Sequence, residues 1–129
     1  MKKAKVVFQK CIQDSQEYGS NDESMVSRVF FDLEIDGQKY PDLYVDIKQT
    51  VGGSFETTPI EVGSPQGYRG PFNYVAFRNA VERYYRSLVG AQGSAIHIED
   101  ARNIRMYNNL LVKVQSVEFE VHGGADIGW

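Results

Sequence analysis

Apolar and polar residues alternate most clearly in residues 29–35 and 43–47, on either side of Asp36-Gly37, and this pattern predicts a β-hairpin. We predict a three-residue loop at Asp36-Gly37-Gln38, because that register places apolar residues opposite one another and a two-residue turn sets apolar against polar. The register pairs Phe31 with Leu43, Val29 with Val45, Phe30 with Tyr44, and Arg28 with Asp46. Pro41 predicts that its end of the second strand lies at a sheet edge.

A first strand is predicted over Ala4–Ile12. One face carries Val6, Phe8 and Ile12, and the other carries Lys5, Val7, Gln9 and Cys11. Near the C-terminus, residues 95–99 and 104–107 indicate strands, and Asn108-Asn109 indicates a turn into a last strand over Leu110–Val121.

In the last predicted strand, the apolar residues change from even-numbered to odd-numbered positions at Gln115-Ser116. Before this point the apolar residues are Leu110, Val112 and Val114, and after it they are Val117, Phe119 and Val121. A β-bulge there, or a crossing of the strand between two packed layers, accounts for the switch without exposing either set.

Residues 72–89 show the period of an amphipathic helix, with Pro71 in its first turn and Gly90 just past its end. Its apolar side carries Phe77, Val81, Tyr84 and Leu88, flanked by Tyr74, Ala80 and Tyr85. The opposite side carries Asn79, Glu82, Arg83 and Arg86, with Glu82 and Arg86 spaced as an ion pair. We therefore expect this helix to cover one face of a sheet.

Together these elements predict one α+β domain over residues 1–129. Its core is an antiparallel twisted sheet or a partly open β-barrel, with the helix packed on one face. Residues 13–24 and 50–70 are expected to be loops, mobile in character, although 55–62 also fits a short edge strand. The tail, residues 122–129, has little regular pattern.

The 129 residues include 14 basic and 17 acidic side chains, for a net charge of −3 at pH 7. This balance argues against a dedicated nucleic-acid-binding protein, which needs a concentrated cationic face. No apolar run is close to the length of about 20 residues that spans a bilayer, and no export signal is evident. The single cysteine, Cys11, cannot form an internal disulfide, so we expect a cytoplasmic protein.

A glycine-rich segment, residues 63–71, leads into the predicted helix. Backbone N–H groups before a helix and an arginine fork bind anions, so Gly67, Arg69 and Gly70 are candidate ligands of a phosphate or carboxylate. His97 is a further candidate ligand-binding residue. Because Pro71 lacks an N–H and glycine is common in tight loops, a purely structural loop is favoured over a small anionic ligand.

Carboxylates line the outer face of the hairpin: Asp32, Glu34, Asp36, Asp42 and Asp46. They have the chemistry to hold a divalent cation or to meet a basic partner, but a solvated sheet face has the same composition and is favoured. His97 and Glu99 share one side of a predicted strand, and His122 and Asp126 would join them only if the tail folds back. We predict no metal site, no cofactor and no catalytic residue.

Phe30 and Tyr44 are predicted opposite each other on the hairpin face away from the helix, beside Arg28 and Asp46. If that face is wet, the four residues have the composition of an interaction surface. If the 117–121 strand covers the rings they are core, and the parity switch slightly favours this. We predict a non-catalytic protein-interaction or assembly module, acting as a homodimer or as a subunit of a larger assembly. The alternative is a small enzyme or ligand-binding protein with an anion site at residues 63–71.

Overall fold

The computed structural model describes residues 2–14, 18, 24–50, 60–91, 108–122 and 126–127. The elements follow in the order β1 (Lys3–Asp14), β2 (Ser24–Ile35), β3 (Gln38–Thr50), β4 (Ile60–Val62), β5 (Phe72–Asn73), α1 (Tyr74–Ala91), β6 (Asn108–Glu120) and β7 (Asp126–Ile127). The strands predicted over 95–99 and 104–107 lie outside the described residues.

Five strands form one open antiparallel sheet in the order β4-β3-β2-β1-β6, and α1 packs against one of its faces. The short strands β5 and β7 pair separately. The predicted α+β class is therefore confirmed, with a sheet that is open and not closed into a barrel. We call the face that α1 covers the helix face, and the opposite face the open face. Within the described ranges, no helix is long and apolar enough to cross a membrane.

The hairpin of β2 and β3 has the predicted residue pairs but not the predicted loop. Asp36 and Gly37, with φ of 52° and 79°, form a two-residue turn that places Ile35 opposite Gln38. The register then shifts, because two residues of β3, 41 and 42, oppose Asp32 of β2. This bulge restores all four predicted pairs, so the three-residue loop is wrong although the pairing beyond it is right.

A second bulge changes the faces of β1. The pairing of β1 with β2 shifts between Phe8 and Lys10, so Gln9 is an extra residue and the alternation reverses after it. As a result Cys11 is fully buried on the helix face, and Ile12 lies on the open face opposite Arg28. The prediction that Ile12 shares a face with the buried Phe8 is therefore wrong.

The packing of α1 is as predicted. Its buried side chains recur at helical spacing: Phe77, Ala80, Val81, Tyr84, Tyr85 and Leu88. The ring of Phe77 lies 5.1 Å from that of Phe31 in the centre of the sheet. On the outer side, Arg86 Nε lies 3.3 Å from Glu82 Oε2, which is the predicted ion pair.

The ends of α1 differ from the prediction by two residues. The helix begins at Tyr74, where the Asn73 side-chain oxygen accepts the N–H of Ala76 at 3.2 Å and caps the first turn. Pro71 therefore precedes the helix, and Gly90 lies within it. The helix does not begin at Pro71, because Phe72 and Asn73 pair with β7 and the Asn73 side chain then caps the first turn.

The last strand, β6, stays beside β1 over its whole length, and this corrects three expectations. It starts at Asn108, so Asn108-Asn109 is not a turn. It neither crosses between layers nor forms a second layer, although its pairing with β1 shifts between Val112 and Gln115. Even-numbered and odd-numbered residues of β6 must then lie on opposite faces of the sheet. Leu110, Val112 and Val114 are consequently exposed, contrary to the prediction that neither apolar set would be.

The irregular segments are shorter than predicted. Residues 13–14 extend β1, Ser24 begins β2, and Thr50 ends β3. Ile60–Val62 form β4, an edge strand inside the predicted 55–62 range, while 51–59 lie outside the described residues. In the tail, Asp126–Ile127 are paired with β5.

Candidate functional site

The open face presents two rows of directly opposed side chains across β6, β1, β2 and β3. The first row is Val112, Lys10, Phe30 and Tyr44, and the second is Leu110, Ile12, Arg28 and Asp46. Opposed residues of an antiparallel sheet lie on the same face, about 5 Å apart. The four predicted interaction residues, Arg28, Phe30, Tyr44 and Asp46, are therefore brought together as expected, and β6 adds apolar residues to each row.

At the edge of this face, β6 exposes three apolar side chains spaced two residues apart, which we call the β6 stripe. Leu110, Val112 and Val114 are 61%, 60% and 66% exposed. A single exposed apolar residue is ordinary on a protein surface, but three adjacent ones on one strand form a patch. The stripe is the largest exposed apolar feature among the described residues.

Beside the stripe lies a groove of about 600 Å³, lined by Lys10, Phe30 and Asp32 together with Val112 and Val114 of the stripe. The rings of Phe30 and Tyr44 are 6.2 Å apart, and Lys10 Nζ lies 5.1 Å from the Phe30 ring centroid. Both rings are half-buried in the face, with no β6 layer over them. Aromatic and aliphatic surfaces are thus continuous from β3 to the sheet edge.

Arg28 is held firmly within the chain. Its Nε and Nη2 atoms donate to the two carboxylate oxygens of Asp46, at 2.8 and 3.2 Å. Its guanidinium carbon lies 4.0 Å from the Tyr44 ring centroid and 4.2 Å from that of Tyr18. The hydrogen bond to Asp46 raises the pKa of Arg28 above its ordinary value. This geometry makes Arg28 a positioning residue that orients two tyrosine rings on the open face.

The glycines of the 63–71 segment have structural reasons. Gly67 has a φ of 103°, and a Cβ there would lie 2.5 Å from Leu43 Cδ2, so its backbone needs glycine. Gly70 sits under the ring of Tyr68, whose hydroxyl donates to Pro71 O at 3.0 Å and closes the loop. The helix start beyond it is capped by Asn73 of the same chain. These contacts support the structural interpretation of the loop.

Arg69 is exposed and lines a second groove of about 600 Å³, together with Lys2, Asp36, Gly67 and Gly70. The structure therefore brings three of the predicted anion ligands into one groove, where Lys2 adds a cation and Asp36 a carboxylate. His97 lies outside the described residues.

Two of the acidic hairpin residues, Asp32 and Asp46, are engaged with the chain itself. Asp32 accepts the backbone N–H of Asp42 at 3.0 Å and the side-chain amide of Gln9 at 3.2 Å. Asp46 is paired with Arg28. Among the residues that the structure describes, no group of three or more His, Cys, Asp or Glu side chains is arranged to hold a metal ion.

The helix face contains a buried polar contact that the sequence pattern does not reveal. Gln13 Nε2 donates to Tyr85 Oη at 3.2 Å, and Tyr85 donates to Gln49 Oε1 at 2.7 Å. The contact ties β1, β3 and α1 together. Close by in the chain, burial raises the pKa of the Cys11 thiol to about 12, so Cys11 behaves as a core residue.

The β6 stripe is the functional candidate that sequence reasoning missed. Its signal was the parity switch at Gln115-Ser116, which marks a strand with apolar residues on both faces. Comparisons of the chain with protein-family models, curated proteins and solved structures gave no match. Function is therefore inferred from the molecule's own surface.

Proposed function

We propose that this chain is a non-catalytic protein-interaction or assembly module, which self-associates or joins a larger assembly through its open face. The observation that carries this proposal is the exposed β6 stripe at the edge of that face. Burying one such aliphatic side chain in an interface is favourable by about 1.5–3 kcal/mol. Three adjacent ones supply the apolar centre that a specific interface requires.

The rows beside the stripe supply the other parts of an interface. Phe30 and Tyr44 offer aromatic surface, and the Arg28–Asp46 pair holds Tyr44 in one orientation. Such fixed rings lose little conformational entropy when a partner binds them. Lys10 and Asp32 at the groove give the surface a polar rim.

We extend the same proposal to the partners and the cellular location of the chain. We propose a cytoplasmic protein, because the buried Cys11 is the sole cysteine and suits a reducing compartment. We also propose that nucleic acid is not a partner. The net charge is −3, and two of the open-face cations, Arg28 and Lys10, lie against aromatic rings or a carboxylate.

Sedimentation equilibrium over a range of protein concentrations tests this function, with Val112→Asp as the disrupting variant. We expect the wild-type chain to sediment above its monomer mass and Val112→Asp to sediment as a monomer. Gln38→Asp is the matched control, because it places the same charge on an exposed strand residue that is not on the open face. A wild-type chain that stays monomeric at every concentration and is stabilised by one small molecule would contradict the proposal.

The alternative is a small ligand-binding protein or enzyme with an anion site at residues 63–71. The groove that brings Arg69 together with Lys2 supports this alternative. The cap on α1 by Asn73 and the carboxylate of Asp36 in the same groove weigh against it. A thermal-shift screen of phosphate, nucleotides, sugars and divalent metals discriminates the two. Stabilisation of a monomer by one such compound, lost in Arg69→Ala, would favour the alternative.

A further inference from the structure

The strand β6 is a long edge strand. It has 13 residues, whereas β4 at the other edge has three, and β1 is the one described strand that pairs with β6. A long edge with apolar side chains is a template for pairing with another chain.

We propose that the partner is a second copy of this chain, and that the two β6 strands pair antiparallel about a two-fold axis at Val112. This rests on the proposed function, because it names the partner of the β6 stripe at the edge of the open face. In this arrangement Val112 faces Val112 of the other copy, and Leu110 faces Val114. Every side chain of the stripe then packs against a stripe side chain of the second copy, as an isologous interface requires.

The side chains of β6 favour this register over its neighbours. An axis at Lys113 would place the two Lys113 ammonium groups directly opposite each other, and like charges in opposed positions destabilise a sheet. An axis at Val114 would place Leu110 opposite Glu118, and an axis at Leu111 would place Val114 opposite Asn108. The axis at Val112 avoids these mismatches.

The charges of the open face favour edge pairing over face-to-face packing. Among the charged residues on this face are Lys5, Lys10, Lys48, Asp32, Glu34 and Glu118. Packing two such faces together would remove these groups from water at a large cost, whereas edge pairing leaves them hydrated. Residues 108–116 of each copy would pair over about 30 Å. The interface is therefore small, and we expect the dimer to dissociate on dilution.

Disulfide trapping tests the register directly, since the native chain has one cysteine and it is buried. Three full-length variants are needed: Val112→Cys, Leu110→Cys and Val114→Cys. Directly opposed residues have Cα atoms about 5 Å apart, within the range of a disulfide. Two copies of Leu110, or two of Val114, would be about 13 Å apart along the strands. Lys113→Cys serves as the control for the adjacent register.

Under mild oxidation we expect Val112→Cys alone to form a reducible dimer at twice the 14.6 kDa of the chain. Leu110→Cys and Val114→Cys should each form no disulfide-linked dimer when oxidised alone, and should cross-link only when mixed. The three positions are exposed, so the variants should fold, and their circular dichroism should match the wild type.

Two results would overturn the inference. If Lys113→Cys cross-links with itself while Val112→Cys does not, the strands pair in another register. If the wild-type chain associates and neither Val112→Cys alone nor the mixture cross-links, the chain associates by another surface. In the first case the proposed interaction through the open face is retained. In the second case, Val112→Asp shows whether another part of the open face carries the association. A wild-type chain that is monomeric at every concentration would overturn the inference, and the interaction function would then need a different protein as its partner.

Discussion

The two faces of the sheet are built from the same strands but held in different ways. On the helix face, Val29, Phe31 and Val45 are fully buried and pack under α1. On the open face, the neighbouring residues Arg28 and Phe30 are half-buried and are positioned by hydrogen bonds and ring contacts. The hydrophobic core therefore lies on the helix face, whereas the open face is held by polar and ring contacts at its surface.

Among substitutions, the largest expected effect comes from making the same change on both faces. Val29→Ala removes two methyl groups from a fully buried site of β2, and we expect the free energy of unfolding to fall by about 2–3 kcal/mol. Val112→Ala makes the same change at a site that is 60% exposed, and we expect a loss of about 0.5 kcal/mol or less. Urea denaturation at low protein concentration, where any dimer has dissociated, measures both.

Equal losses in the free energy of unfolding from the two substitutions would contradict the contrast between the faces. They would mean that Val112 is buried in the isolated chain, and the stripe would then be unavailable to a partner. A large loss for Val112→Ala that appears only at high protein concentration would instead sharpen the comparison, because the loss would belong to association.

Alkaline pH should lower the free energy of unfolding through groups that are buried on the helix face. Burial raises the pKa of Cys11 to about 12 and also raises the pKa of Tyr85. In the unfolded chain a thiol ionises near pH 8.5 and a phenol near 10, at about their ordinary pKa values. Above these values the unfolded state binds fewer protons than the folded state, so stability is lost as the pH rises. Each group then lowers the free energy of unfolding by about 1.4 kcal/mol per pH unit.

Urea denaturation at several pH values from 7 to 11 measures this loss. Cys11→Ala is the informative variant, because it changes the slope against pH in addition to the stability itself. We expect a shallower fall in Cys11→Ala than in the wild type between pH 9 and 11. Identical slopes would show that the thiol ionises as easily in the folded chain as in the unfolded one.

The packing of α1 on the helix face could be predicted from the sequence, because the spacing of apolar residues shows which side of a helix is buried. The spacing of Phe77, Val81, Tyr84 and Leu88 was enough to predict which side of α1 contacts the sheet. The bulges in β1 and β3 were not predicted, because the apolar pattern around each extra residue also fits a strand without a bulge. The Gln9 bulge moved Cys11 into the core, and the bulge at residues 41–42 reconciled a two-residue turn with the pairing beyond it.

Only some features of the open face could be predicted from the sequence, because alternation shows which residues share a face but not what covers it. The predicted pairs of Arg28 with Asp46 and of Phe30 with Tyr44 follow from alternation alone, and the structure contains both. Alternation cannot say whether a second layer covers a face, since apolar residues on both sides of β6 fit a buried strand as well as an exposed edge. Only the strand order, with β6 outermost, shows that Leu110, Val112 and Val114 meet solvent.

Only a small effect is expected from the polar contacts on the open face. Asp46→Asn removes the charge that Arg28 binds, and we expect a loss of about 0.5–1 kcal/mol, because the two side chains are 25% and 39% exposed and water screens the pair. Urea denaturation in low salt and in 1 M NaCl measures the loss, which should shrink at high salt. Asp42→Asn is the matched control. The Asp42 carboxylate makes no ion pair with any described residue, and asparagine tolerates its φ of 60°. A loss of several kcal/mol in Asp46→Asn would contradict the contrast between the faces, because the open face would then be part of what holds the fold together. A loss within the expected range would leave Arg28 and Asp46 with the task of orienting Tyr44 and Tyr18, at little consequence for folding.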